Sequence, residues 1–381
     1  MAKQSMLDSK DFSLSWLDND KEEKVVKWAL NLEYGDIPPE VLNETKRAVL
    51  DTIGTALGAQ KLEITKIVNK FIRASFPGSQ AKTWFSGHPT SALGAALANG
   101  LITDGLDMHD TGHYTKGHAG AAIIPCAFAC LGLVNGGKVS GKDFLTSLVA
   151  AYEVGYRCGH AMHESQSDFH SRTWRLTKFH VYKKFAVCYW AQPSIAGTIS
   201  VMKKNKIKPE DVESIVCHTF KEATGLQQNI PTNTEEAQYC ILYPIAAAAY
   251  SGKLGPNEVN GSALQDEKIL ALAKKVKILV DENLTSEAGD PELKGKDTAS
   301  MTANIAWVEV TTKDGKTYKG DKARVPWDRL AGEPAPGDDE ITGKFMSLGS
   351  DVGVEEKLLK SVVSKCLKME NESDVMVGDA L

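Results

Sequence analysis

The chain has 381 residues, and its 49 acidic residues against 44 lysines and arginines leave a formal charge of −5, so no global positive field is available to gather nucleic acid or anionic lipid. Its 42% hydrophobic, 24% charged and 7% aromatic residues are ordinary globular values, which exclude disordered and collagen-like classes. No apolar run approaches the roughly 18 residues of a membrane span, and the length predicts two domains rather than one small core.

The N-terminal stretch has no apolar run of a signal peptide and is too acidic for a typical transit peptide. Seven scattered cysteines, an odd number without a paired CxxC motif, predict a reduced, cytoplasmic chain. Pro38-Pro39 opens a helical pattern carried by Leu42, Val49, Ile53 and Leu57. Gly54 and Gly58 lie on it four residues apart, a spacing that costs helix propensity of about 1 kcal/mol each and predicts close approach of another backbone. Helices follow at Ile64 to Phe76, Ser91 to Ile102, Ala121 to Leu133 and Lys142 to Met162, the last begun near Ser140. Residues 20–174 therefore read as a helical domain.

Beyond Trp174 the pattern changes. Ile215, Cys217 and Thr219 alternate with polar residues, as do Val276, Ile278 and Val280, the two-residue period of half-buried strands. Ala303 to Thr312 and Lys316 to Val325 flank Asp314-Gly315, which predicts a hairpin with a type I′ turn. Helices are predicted at Ser194 to Lys204 and Glu236 to Ser251. Residues 175–330 read as an α+β lid domain, and 331–375 as a linker and a C-terminal helix, Glu355 to Met369, returning to the helical domain. The acidic, Pro- and Gly-rich segment Pro326 to Asp339 is read as that linker.

Six of the nine histidines fall in two windows, His109, His113 and His118, then His160, His163 and His170. Histidine suits proton transfer near neutral pH and, when protonated, binds carboxylates. The polar segment from Asp107 to Gly120 is either a solvated connection or a pocket floor between tightly packed helices. His109 and His113 would share one face and could bind a metal if the segment were helical, but Gly112 and Gly117 argue for a loop. His160 and His163 fit a helix-end role, and His180, His218 and Cys188 a structural one.

Asp51-Thr52-Ile53-Gly54 with Gly58, then Ala95 to Asp107, then the Leu-Asp-x-x-Asp-Thr and Gly-His pattern ahead of Pro125, resembles the MmgE/PrpD family over about residues 28–367. The resemblance implies a mainly α fold, a large helical domain with a smaller α+β lid, an active site between them and commonly a homodimer. By position it assigns Asp107 and Thr111 as pocket residues, His118 as the acid–base histidine and His170 as the histidine of a Gly-aromatic-His motif. Lys183 matches the lysine before a cysteine-bearing turn, and Tyr243 a tyrosine on a later helix. Gln192 stands where many members carry a histidine. Trp174 runs directly into Arg175, where the family has several helices with a basic substrate-contacting segment.

What the resemblance implies is a lyase of small di- or tricarboxylates needing no metal and no organic cofactor. His118 would move the proton, His170 and Lys183 would hold carboxylates, and Asp107 and Thr111 would orient His118 or the substrate. Dehydration, decarboxylation and epimerisation stay open. So do a shortened, non-catalytic paralogue and, on histidine density alone, a metal-dependent hydrolase.

Overall fold

The computed structural model describes residues 20–112, 115, 117–134, 138–163, 180–284 and 304–375. His113, His170, the junction of Trp174 with Arg175, and the side chains of His160 and His163 lie outside that description.

The helical layer is built on one buried helix. After α1 (Asp20–Asn31), α2 (Pro39–Gly58) starts with Pro39 in its first turn, where a missing N–H leaves nothing unsatisfied. Every residue of α2 from Ala48 to Gly58 is buried, because neighbours surround it. α3 (Glu63–Ser75) is amphipathic, burying Val68 and Ile72 while Ile67 and Phe71 stay exposed. A short ribbon, β1 (Ala81–Lys82) with β2 (Pro89–Thr90), leads to α4 (Ala92–Asp104), whose first turn is capped by Ser91 Oγ accepting from the Gly94 N–H at 3.1 Å. β3 (Thr111–Gly112), α5 (Ala119–Leu131) and α6 (Gly141–His163) follow, with Ser140 Oγ accepting from the Asp143 N–H at 3.2 Å ahead of α6. α4, α5 and α6 all pack on α2. Helix ends match the sequence expectation within a few residues, as fraying ends allow.

β4 (His180–Val181) pairs antiparallel with β3, joining Gly112 to His180 and Thr111 to Val181. α7 (Gln192–Lys204) then lies on a five-stranded sheet of order β6-β5-β7-β8, with β9 also on β7. Its strands are β5 (Val212–Thr219), β6 (Val276–Val280), β7 (Ile305–Thr312), β8 (Thr317–Lys319) and β9 (Ala323–Arg324). β5 runs parallel to β6 and antiparallel to β7, placing Cys217 opposite both Ile278 and Val308. The inward residues Ile215, Cys217, Val308 and Val310 are fully buried, as the alternation predicts.

Three expectations need correction. The helix predicted over Glu236 to Ser251 is two helices, α8 (Thr234–Gln238) and α9 (Leu242–Ser251), because Cys240 between them bridges to Gln227. The hairpin turn is not type I′: Thr312 N–H donates to the Lys316 carbonyl at 2.9 Å, and Gly315 alone takes a positive φ, of 84°, which closes a longer loop. The segment read as linker up to Asp339 ends instead inside a helix.

After α10 (Glu267–Ala273), which packs on α9, the last helices are α11 (Asp338–Asp351) and α12 (Glu356–Leu367), and both return to α2. The acids Asp338, Asp339 and Glu340 occupy the first turn of α11, where negative charge complements the helix dipole. α11 supplies the close approach that Gly54 and Gly58 foreshadow. A Cβ on Gly54 would meet Phe345 Cδ2 at 2.9 Å and its Cα at 3.4 Å, and one on Gly58 would meet Leu348 at 2.8 Å. One apolar core runs from α2 through α7 and α9 to the sheet, so the two layers are packed as one body.

Candidate active site

The pairing of β3 with β4 draws together two loops distant in sequence, and Asp107 and Lys183 meet where they cross. Asp107 follows α4 with a left-handed φ of 47°, a conformation aspartate tolerates better than most residues, and its N–H donates to the Asp104 carbonyl at 2.9 Å. The buried Lys183 ammonium donates to Asp107 Oδ1 and, at 3.1 Å, to the Asp107 carbonyl.

His118 stands immediately before α5. Its Nδ1 lies 3.2 Å from the Asp110 carbonyl. A carbonyl can only accept, so Nδ1 carries the proton and Nε2 keeps its lone pair. Nε2 is 3.8 Å from Asp107 Oδ1. Burial first, then the charges of Lys183 and His109, push the His118 pKa down to about 4, so the ring is uncharged at neutral pH. The ring of His109, itself fully buried, stacks on that of His118 with centroids 4.6 Å apart.

Asp107, Thr111, His118 and Lys183 line one cavity of about 290 Å³. Its other wall comes from the α+β layer, with Phe220, Glu222 and Leu226 beyond β5 and Asn304 ahead of β7, while Tyr189, Trp190 and Tyr239 close the side. The cavity therefore sits where the helical layer meets the sheet layer, a common place for small-molecule sites. Cys188 also lines it, but burial and the Asp107 charge raise its thiol above the ordinary value, against a thiolate role.

Two buried groups hold the loops in register. Asp110 accepts from the Gly120 N–H at 2.8 Å and from the Tyr152 hydroxyl at 2.8 Å, pinning the start of α5 beside His118. A Cβ on Gly120 would fall 2.3 Å from Asp110 Oδ1, so only glycine permits this approach. Lys344, on α11, donates to Asp51 Oδ1 at 2.6 Å, to the Met108 carbonyl at 2.5 Å and to the Lys183 carbonyl at 2.9 Å. Its ammonium thus ties α2, the Asp107 loop and the Lys183 loop. Burial lowers the Lys344 pKa and raises that of Asp51, each opposed by the other's charge.

Gln192 and Tyr243 lie away from the cavity walls. Gln192 is fully buried and clamps the turn after Lys183, accepting from the Phe185 N–H at 3.2 Å and donating to the Phe185 and Val187 carbonyls at 2.9 and 3.0 Å. The Tyr243 hydroxyl faces the carbonyls of Glu258 and Ala263 at 3.0 and 2.8 Å. Asp110 stands in the Leu-Asp-x-x-Asp-Thr stretch without a role assigned to it there, and Tyr152 and Lys344 stand in no local pattern that marks them as parts of the site.

The MmgE/PrpD N-terminal domain matches residues 23–249, and the MmgE/PrpD C-terminal domain residues 185–368. The chain belongs to the MmgE/PrpD family. Among curated proteins it is 28% identical over 207 residues to the cis-aconitate decarboxylase-like protein oryM of Aspergillus oryzae, covering 53% of this chain and 40% of that protein. To the cis-aconitate decarboxylase of Aspergillus terreus it is 24% identical over 206 residues, 53% of this chain and 39% of the relative. To that of Homo sapiens it is 25% identical over 268 residues, 64% and 53% respectively. The chain thus spans about half, or less, of the length of these relatives. Its mainly α fold with a smaller α+β part is that of this MmgE/PrpD chain throughout the described residues.

Proposed function

We propose that this MmgE/PrpD chain is a lyase that uses His118 to move a proton on a small di- or tricarboxylate bound in the 290 Å³ cavity. The observation that carries the proposal is the uncommitted Nε2 lone pair of an uncharged His118 beside the Lys183–Asp107 pair. Removing a proton next to a carboxylate accumulates negative charge, so a base must work beside donors or cations that hold that carboxylate. The Lys183 ammonium offers such a cation, Thr111, whose hydroxyl donates to the Gly117 carbonyl at 3.2 Å, lines the wall beside it, and the relatives named cis-aconitate decarboxylase support the substrate class.

In a dehydration, the C–H pair forms the new double bond as the C–O bond breaks, and the proton taken by Nε2 passes to the leaving hydroxide as water. In a decarboxylation, the C–C bond breaks, carbon dioxide leaves and the imidazole delivers a proton, taken from solvent, to the carbon that keeps the pair. Proton return on the opposite face, without loss of a group, would be epimerisation. His170 is the further carboxylate ligand this reading calls for. Asp107 orients Lys183 and the Nε2 face of His118.

Purified protein offered cis-aconitate and citrate-like acids should turn one of them over with a chelator present, and His118→Ala should reduce that at least 10²-fold while keeping the wild-type circular dichroism, the usual range for a lost acid–base group. Binding without turnover would remove the lyase reading in favour of a carboxylate-binding paralogue. The family resemblance also implies a homodimer, for which the exposed Ile67, Phe71, Leu93 and Leu101 on the adjacent α3 and α4 offer a face. Light scattering should give twice 41.3 kDa, and a monomer at high concentration would remove the dimer.

A further inference from the structure

We infer that Asp107, His109 and His118 form a binding site for one divalent transition-metal ion of the zinc class on the floor of the cavity, and that an ion there withdraws the lone pair of His118 from proton transfer. Only the second half rests on the lyase reading.

The donor set is two imidazoles and a carboxylate, the set that zinc takes with borderline-soft nitrogen and oxygen ligands. One ligand atom from each residue lies within 4.8 Å of those from the other two. Bonds of ~2.0–2.2 Å draw ligand atoms to roughly 3.3–3.6 Å apart, so binding asks a contraction of about an ångström. The donors are also uncommitted. Asp107 Oδ2 and His109 Nδ1 are buried, and among the described residues no hydrogen bond reaches either of them. Buried polar atoms are normally satisfied, and two left over in one cluster call for a partner.

Two neighbours bear on the charge. Lys183 holds Asp107 Oδ1 and leaves Oδ2 open. Asp104 Oδ1 lies 3.1 Å from His109 Nε2, and a carboxylate behind a ligating histidine is the usual second partner in metal sites. Two carboxylates against one ammonium leave the cluster an excess of negative charge for a cation. The open side faces the cavity, which gives an ion both an entry path and a place for water or a substrate carboxylate.

The competing site on the surface is Cys126 and Cys130, exposed one turn apart on α5. Full-length protein stripped with chelator and then freed of it is titrated with ZnCl2 against a chromophoric chelator, and with CoCl2 by visible absorption. One equivalent of zinc should bind, and the cobalt form should show d–d bands of nitrogen and oxygen ligation without a thiolate charge-transfer band. His109→Phe, which keeps the stacked ring without its nitrogens, should weaken zinc at least tenfold, while Cys126→Ser with Cys130→Ser should leave it unchanged. If His109→Phe does not fold, His109→Gln carries the same expectation. Zinc retained by the His109 variants, lost with the cysteines, or not bound by the parent protein would overturn the site. Because these readouts need no turnover, an inert protein that still binds one zinc would sink the lyase reading and spare the site.

Discussion

His118 gains its proposed role from atoms that hold it rather than from its own chemistry. The Asp110 carbonyl fixes its tautomer, and the Asp110 carboxylate fixes the start of α5 that carries it. Asp110→Asn removes the charge from the acceptor of Tyr152 and of the Gly120 N–H. It should destabilise the protein by about 1–3 kcal/mol in urea melts and lower turnover more than it raises KM. Lys344 acts at one remove, through the carbonyls of Met108 and Lys183. Lys344→Met strands the buried Asp51 carboxylate and should cost about 3–5 kcal/mol. The double change Lys344→Met with Asp51→Leu should recover most stability, since an apolar pair can replace a buried ion pair, but not turnover. Recovery of both would make Lys344 a folding residue without influence on the site.

Asp107, Thr111, His118 and Lys183 could be grouped from the sequence because they stand in short stretches that resemble the family's, and the structure places all four on one cavity. Lys344 could not, because it acts 236 residues away from Met108 and looks like any lysine on a helix. Gln192 and Tyr243 were read as substrate ligands by position. Their side chains are occupied by backbone groups, a fact that only tertiary packing reveals.

At the scale of elements, periodicity was a good guide where helices bury one face and strands alternate, as in α3 and β5. It failed for α11, where three acids in the first turn look like a linker until the helix dipole is considered, and at Cys240, where a bridge to Gln227 ends one helix and starts another. The glycine on α2 carried information about that unread helix. Gly54→Ala should force Phe345 aside and cost about 1–3 kcal/mol, measured by the urea midpoint, whereas an unchanged midpoint would mean that α11 can back away from α2.

The edge of the sheet offers a pH test. Asp281, just past β6, accepts from Trp307 Nε1 on β7 at 2.9 Å, and that bond first, with the Asn283 donors, holds its carboxyl below the ordinary value. A depressed carboxyl stabilises the fold above its unfolded pKa, and the gain is lost as pH falls through the lowered one. The Asp281 side-chain carboxyl carbon resonance should therefore titrate below the ordinary aspartate range. Movement at the ordinary value would break this tie.

For the molecule as a whole, the cavity belongs to neither layer alone. Helical loops supply Asp107, Thr111 and His118, the segment joining the layers supplies Lys183, and the sheet layer supplies Phe220 and Asn304. A single core beneath them keeps the walls in fixed relation, which suits a site that must be preorganised for charge. The division into residues 20–174, 175–330 and 331–375 remains our proposal for how the chain is organised, and the return of α11 and α12 to α2 supports its last part.

Proton transfer by His118 to or from the carbon of a small polycarboxylate is the central step of the proposed chemistry. The most direct measurement is proton NMR of cis-aconitate and citrate-like acids incubated with the protein in deuterated buffer containing chelator. Wild type should convert one of them, leaving deuterium on carbon where the reaction is decarboxylation or epimerisation and none where it is dehydration, while His118→Ala, folded as wild type, should give no product. Equal turnover by the two proteins, or no exchange and no conversion by wild type, would contradict it.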